Sequence, residues 1–254
     1  MKIHSVYAHP EATSVTRQLA ATTTGHLAKL GHTVQVSDLY AMKWKAAFDA
    51  ADFLDRVDPQ RLNYISESGH AYASGTQTAD VTEEQRKLLE ADALVLHFPL
   101  WWFGMPAILK GWFDRIFAYG LAYGYRDAGN RYRYGEGGLA GKRALICVSV
   151  GGPAVDYGPR GINGPLDQLL FPLTHGTLFF AGMTVLPIFA VYGTVQTDAD
   201  ALAMAQEEWR SRLGCLFDER PIPFRRQNAG DYPDGHALAE HVAPDLSGIV
   251  AHIS

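Results

Sequence analysis

Only two of the 254 residues are cysteines, Cys147 and Cys215, and they match no metal-binding or redox spacing. That excludes a disulfide scaffold and a dithiol motif, and leads us to expect a reducing, cytoplasmic setting. A surplus of positive charge is also missing: the net charge is −5, with no concentrated basic face of the kind nucleic acid requires. No apolar run approaches the ~20 residues that span a bilayer. Met1-Lys2-Ile3-His4 leads directly into strand-like sequence, without the apolar core of a signal peptide. The dinucleotide fingerprint G-x-G-x-x-G is absent from the first turn, as is a P-loop, which counts against a standard NAD domain or an NTPase. Nucleophile elbow, H-E-x-x-H and clustered carboxylate pair are all missing, so hydrolysis lacks its parts. Redox chemistry carried by a bound cofactor is the more economical inference.

Apolar residues make up 47% of the chain and charged ones 19%, enough for a soluble protein with a full core. The centre of the pattern is the run from Ala93 to Pro106. Ala93 to Phe98 is almost unbroken apolar sequence, as expected of a central parallel strand covered on both faces. Pro99 ends it, Trp101, Trp102, Phe103 and Gly104 form a short connection, and Pro106 opens a helix with apolar pairs at every fourth residue. Around this unit the chain alternates strands and helices. Met1–Ala8 reads as a strand, followed by a helix to about Leu30 capped by Thr13 or Ser14 and stopped at Gly31. Residues 33–37 read as a second strand. Residues 39–80 lose their periodicity and read as an excursion with short helical pieces, far longer than an ordinary connection. Thr82-Glu83-Glu84-Gln85 reads as a capping box that opens a helix reaching about Ala91. Residues 119–141 form a second long loop, Arg143–Val150 a fourth strand, and Pro165 can start the next helix. Thr184–Tyr192 is a fifth strand demoted to an edge by Pro187, and Asp198–Leu216 a final helix.

Five strands alternating with helices predict an α/β doubly wound parallel sheet, flavodoxin-like in the order 2-1-3-4-5, with helices on both faces. We expect one domain over residues 1–217 and a C-terminal arm over 218–254, packed on the domain or on a dimer partner. In that order the ligand loops follow strands one, three and four. Here those are the distinctive loops: His9 to Thr16, Pro99 to Gly104, and Gly151 to Gly164. Ser14 and Thr16 at a helix start suit a phosphate, with His9 as a further donor, although ordinary capping also explains them. Trp101, Trp102 and Phe103 form either a flat wall for a planar ligand or a plug at the end of the sheet. Gly151-Gly152 is either a plain turn or a place where backbone amides approach the carbonyl edge of an isoalloxazine. Tyr157 can add a donor there, six residues before Asn163.

The run from Phe98 to Phe117 resembles the signature of the NAD(P)H:quinone reductases of the DT-diaphorase family. So do Tyr7-Ala8-His9, Asp38-Leu39-Tyr40-Ala41-Met42, Ala122-Tyr123-Gly124-Tyr125, and Gly151-Gly152 with Tyr157 and Gly161-Ile162. The likeness covers roughly residues 1–217. It implies a flavodoxin-like homodimer with FAD, reducing quinones by two electrons from NADH or NADPH through a ping-pong hydride relay on flavin N5. Carried over by position, His9, Ser14, Val15 and Thr16 hold the pyrophosphate and ribityl region of FAD. Pro99, Leu100, Trp102 and Phe103 flank the flavin, Ser149, Val150, Gly151 and Gly152 line its polar edge, and Asn63 takes the place of an adenine-side glutamine. Trp102 and Phe103, with Tyr123, Tyr125 and Phe180 from the second subunit, wall a pocket shared by nicotinamide and quinone. Tyr157 and Asn163 are the candidate catalytic pair, Asn163 standing where the family has a histidine. An asparagine donates a hydrogen bond but cannot carry the charge that offsets a flavin anion. Leu202 replaces an arginine used near the adenosine. A zinc found in one branch needs two histidines and a cysteine; His175 is kept but Phe179 replaces the second histidine, so no metal is expected. Two other readings stand beside the enzyme: a regulatory flavoprotein subunit of a potassium efflux system, and a one-electron flavodoxin-type carrier.

Overall fold

Seven consecutive buried residues, Ala93–Pro99, form the central strand of a parallel sheet in the computed structural model, which describes residues 1–254. In chain order the elements are β1 (Lys2–Tyr7), α1 (Val15–Lys29), β2 (Thr33–Asp38), α2 (Tyr64–Ser74), α3 (Ala79–Glu90), β3 (Ala93–Pro99), α4 (Ala107–Ile116), β4 (Arg143–Ser149), β5 (Thr184–Val185), β6 (Phe189–Val191) and α5 (Ala199–Gly214). The sheet runs β2-β1-β3-β4-β5, with β6 also paired to β4. β3 lies between β1 and β4 in parallel register, Ile3 opposite Ala93 and Pro99 opposite Ser149. This is the flavodoxin-like α/β order read from the sequence. No helix is long and apolar enough to cross a membrane.

Both faces of β3 are covered, which is why its sequence does not alternate. On one face α3, α4 and the segment after β4 bury Leu94, Leu96, Phe98, Leu109, Trp112 and Ile116. On the other, α1 and α5 enclose Val95, Leu19, Leu27, Trp209 and Leu213. Two buried polar groups sit inside these layers. Glu84 accepts from Ser37 (2.9 Å), Lys87 (2.6 Å) and Trp112 Nε1 (2.8 Å), with His4 at 3.5 Å. Burial alone would push this carboxyl up, but its donors, His4 first, hold it down to about 2. His97, wholly buried in β3, meets Thr23 Oγ1 at 3.1 Å, and Trp209 donates to the same hydroxyl at 2.7 Å.

Several boundaries differ from those expected. The helix before β3 begins at Ala79, and Thr78 takes the cap position. Thr82 lies inside it, and the supposed box residues are used elsewhere: Glu84 in the cluster above, Gln85 in a reciprocal amide pair with Gln77 (2.6 and 2.9 Å). Pro106 is the cap of α4 rather than its first residue, so the helix begins at Ala107, one residue later than expected. The helix after Pro165 is broken, running Leu166–Leu169, Phe171–Leu173 and a wide turn Thr174–Phe179, because Pro172 interrupts it. Pro187 likewise splits the expected fifth strand into β5 and β6; it has no N–H for the ladder.

The 39–80 excursion folds against α4. Arg115 donates to Asp52 (2.7 Å), pairs with Asp80 (2.7 Å), and lies 4.3 Å over the Trp44 ring. Gly111 lets the backbone of Ala46 approach so closely that a Cβ there would lie 2.0 Å from the Ala46 carbonyl. The arm packs back on its own chain: Ile222 N–H donates to the Val185 carbonyl (2.8 Å), Phe224 is buried, and Phe224 bridges Ile253.

Candidate functional site

The loops after β1, β3 and β4 leave the sheet at one rim, as parallel strands require, and three contacts tie them together. Thr16 Oγ1, in the first turn of α1, lies 2.5 Å from Ser149 Oγ at the end of β4. Leu100 N–H, just beyond β3, donates to the Ser149 carbonyl at 2.8 Å. The His9 ring is 5.7 Å from that of Trp101. His9, Ser14, Val15, Thr16, Pro99, Leu100, Trp102, Phe103, Ser149, Val150, Gly151 and Gly152 therefore share this rim.

Ser14 caps α1 by accepting from Arg17 N–H, while the amides of Val15 and Thr16 donate to nothing in the chain. Open amides at the positive end of a fifteen-residue helix suit an anion. His9 is half-buried, accepts from Glu11 N–H (3.1 Å), and is held below its ordinary pKa by burial. Trp101 and Gly104 exchange both backbone hydrogen bonds (3.0 and 3.1 Å), closing a two-residue turn. Trp102 (φ 49) and Phe103 (φ 60) are its corners, both left-handed and both bulky, a costly conformation for such residues. Trp102 is 95% exposed, so it is not a plug at the end of the sheet.

Four N–H groups at the rim, those of Trp102, Phe103, Gly151 and Gly152, have no acceptor in the chain. The carbonyls beside them are used: Val150 accepts from Thr194 (3.1 Å) and Gly152 from Gly193 (2.9 Å). Donors without acceptors, beside exposed aromatic faces and two residues lacking Cβ, fit the polar edge of a flat heterocycle. A Cβ on Gly152 would stand 3.3 Å from the Tyr157 ring, which is 5.7 Å from that of Tyr192. Asn163 lies in the same loop, its N–H bonded to the Asp156 carbonyl (3.0 Å).

The remaining expected residues lie elsewhere. Asn63 is not brought to this rim: its side chain caps α2, accepting from Ser66 N–H (3.3 Å). Its neighbour Tyr64 donates to the Asp114 and Phe117 carbonyls at the far end of α4. Tyr123 and Phe180 face each other at 6.1 Å, with Tyr125 in the same loop, also beyond the C-terminal end of α4. They make a second aromatic cluster, separate within one chain from the first. Leu202 is a half-buried residue of α5. His175 is sandwiched between Phe171 (4.5 Å) and Tyr134 (4.8 Å), and no cluster of three or more His, Cys, Asp or Glu residues suits a metal. Burial pushes the Cys147 thiol up, so it offers no thiolate. Three features went unread in the sequence: the hydroxyl pair Thr16–Ser149, Tyr192 beside Tyr157, and Tyr7, whose hydroxyl donates to Asp38 (2.6 Å). Tyr192 left a signal as an aromatic at the exit of the last strand, and Tyr7 and Asp38 left theirs only as members of the signature runs.

A sequence profile for the flavodoxin-like fold matches residues 1–213. A crystal structure named as a quinone reductase from Klebsiella pneumoniae superposes with a TM-score of 0.95 at 48% identity, over all of both chains. The chain belongs to the flavodoxin-like quinone reductase family. A ribosyldihydronicotinamide dehydrogenase-like protein of Penicillium crustosum is 45% identical over 91% of this chain and 87% of its own. The NAD(P)H dehydrogenase (quinone) 1 of Cavia porcellus is 37% identical over 86% of this chain and 78% of its own. This quinone reductase family member is accordingly an oxidoreductase, and family membership carries with it a flavin and a nicotinamide nucleotide.

Proposed function

We propose that the protein is an FAD-dependent NAD(P)H:quinone reductase that works by a ping-pong cycle. The observation that carries this reading is the set of four acceptorless amides at Trp102, Phe103, Gly151 and Gly152 beside an exposed aromatic face. FAD held at this rim would supply two-electron hydride chemistry between nicotinamide and quinone. The Val15 and Thr16 amides and the Ser14 hydroxyl would hold the pyrophosphate at the positive end of α1. The Gly151 and Gly152 amides would bond the carbonyl edge of the ring and would offset negative charge there. Trp102 and Phe103 give a flat surface on which nicotinamide and quinone stack in turn. Tyr157 is the hydroxyl beside Gly152. Asn163 keeps a hydrogen-bonding role without a charge, so no imidazolium assists.

We further propose a homodimer, because the cluster of Tyr123, Tyr125 and Phe180 is remote from Trp102 within one chain and can complete the pocket from a second. Heat release of the cofactor followed by mass spectrometry tests the central claim. An FAD mass, with rapid NADH or NADPH oxidation by a soluble quinone, is expected. An FMN mass would overturn the FAD assignment, and colourless protein that stays so after incubation with FAD would overturn the enzyme reading itself.

A further inference from the structure

Behind Tyr157 lies an apolar cavity of about 500 Å3, within the size range of small-ligand sites. Two prolines make the room for it. Pro172 breaks the helix of residues 166–179, and Pro187 splits β5 from β6, so these two walls do not pack along their length. Ile249, Val250 and Ile253 of the arm form the third wall. Eleven of the fifteen lining residues are apolar or aromatic, and none is a lysine, arginine or histidine. The only charged one, Asp167, is exposed, as is Gln168 beside it, and Thr174 donates its hydroxyl to the Leu170 carbonyl (3.2 Å). Such walls suit a neutral hydrocarbon chain. They disfavour a fatty-acid carboxylate or a prenyl phosphate, for which no counter-charge is present.

One side chain belongs to both the cavity and the rim. Tyr157 stands 3.3 Å from the point that a Cβ on Gly152 would occupy, and its ring also lines the cavity beside that of Tyr192, 5.7 Å away. Burial, with Tyr157 and Asp167 nearby, pushes the Tyr192 phenol up, so it adds no charge to the lining. The cavity reaches the surface at Val250, which is 40% exposed. A ring seated at the rim can therefore lodge a chain attached to it beyond Tyr157. We infer that the cavity holds the apolar tail of a lipid quinone whose head group reacts at the rim. This rests on the reading proposed above and narrows it: the acceptor is a neutral quinone with an isoprenoid tail rather than a small water-soluble one.

The test uses geraniol, a neutral isoprenoid alcohol, as the probe. It is titrated calorimetrically into the full-length holoenzyme and into Val250→Trp and Ile188→Trp, which fill the cavity from different walls. Binding to the parent protein, weakened about tenfold in both variants, is expected, with geranate, the corresponding carboxylate, bound about tenfold less tightly than geraniol. No binding of geraniol to the parent overturns the site, as does equal binding by the variants or geranate bound as tightly. Kinetics then ties the cavity to the acceptor. A benzoquinone carrying a geranyl tail should have a KM about tenfold below that of the same head group without one. Both variants should lose this advantage while the KM for the tail-less quinone stays unchanged. A KM that rises equally for both quinones would mean that the substitutions disturb the rim and would overturn the inference. Geraniol binding in a protein that reduces neither quinone would keep the cavity, remove its assignment to a quinone tail, and sink the enzyme reading. Reduction of both quinones with no advantage for the tail would leave the enzyme reading standing and overturn the inference.

Discussion

Trp102 and Phe103 hold a left-handed backbone that their side chains disfavour, and they do so at the most exposed point of the rim. Strain of about 1 kcal/mol per residue survives there because the Trp101–Gly104 hydrogen bonds fix the turn. Trp102→Ala should lower turnover with a soluble quinone by up to about tenfold, through loss of the stacking face. Trp102→Gly should lose as much activity yet be more stable than the alanine variant by about 1 kcal/mol, since glycine alone adopts φ 49 freely. Steady-state kinetics and urea unfolding read the two effects separately; unchanged kinetics would mean the pocket is elsewhere. His97 sets a different expectation. Burial pushes it down to about 3, whereas in the unfolded chain it titrates near its ordinary value of about 6.5. Between those values the unfolded state binds more protons, so stability rises with pH. Burial and the adjacent His252 hold His175 at about 4, which adds to the same slope. Glu84, at about 2 when folded, contributes fully above its ordinary value near 4.5, and that contribution is lost as pH falls toward 2. His97→Gln should flatten, without abolishing, the pH dependence of the urea midpoint between about 3 and 6.5; an unaltered slope would contradict this.

Among the elements, α4 is the one that both carries the rim loop and anchors the excursion. Gly111→Ala would force a methyl to 2.0 Å from the Ala46 carbonyl, prising residues 45–62 off the helix. A loss of about 1–3 kcal/mol in urea unfolding and new proteolytic cuts within that segment are expected, and equal protection of both proteins would refute it. The same elements show what can be read in advance. β3 and α4 are legible because burial on both faces, or on one helical face, writes a period into the sequence. The start of α3 is not, since Thr82, Glu84 and Gln85 match a local motif, yet Thr82 donates to the Thr78 carbonyl inside the helix and the other two serve distant partners: His4 from β1, Trp112 and Ile116 from α4. Pro187 is legible as an edge mark, while its splitting of β5 from β6 depends on how both halves meet β4. In the rim, side-chain chemistry is legible at Ser14, Trp102 and Gly152. The unsatisfied amides are not, because backbone hydrogen bonding leaves no letter in a sequence.

On the scale of the whole molecule, the arm is the least legible part and one of the more consequential. It has no helical or alternating period, yet Ile222, Phe224 and Ile253 join the larger core cluster. Truncation after Phe217 should lower the melting temperature by about 5–10 °C and expose dye-binding apolar surface, given ~1.5–3 kcal/mol per buried apolar side chain. A truncated protein with unchanged melting would show the arm to be dispensable for the fold. The turn at Trp101–Gly104 has a further consequence. Because it closes on its own two hydrogen bonds and points outward, the residues at its corners are mechanically uncoupled from the layers beneath. With Trp102 and Phe103 as the acceptor wall proposed above, the acceptor range can drift under selection by exchanging two surface letters, with the rest of the scaffold left untouched.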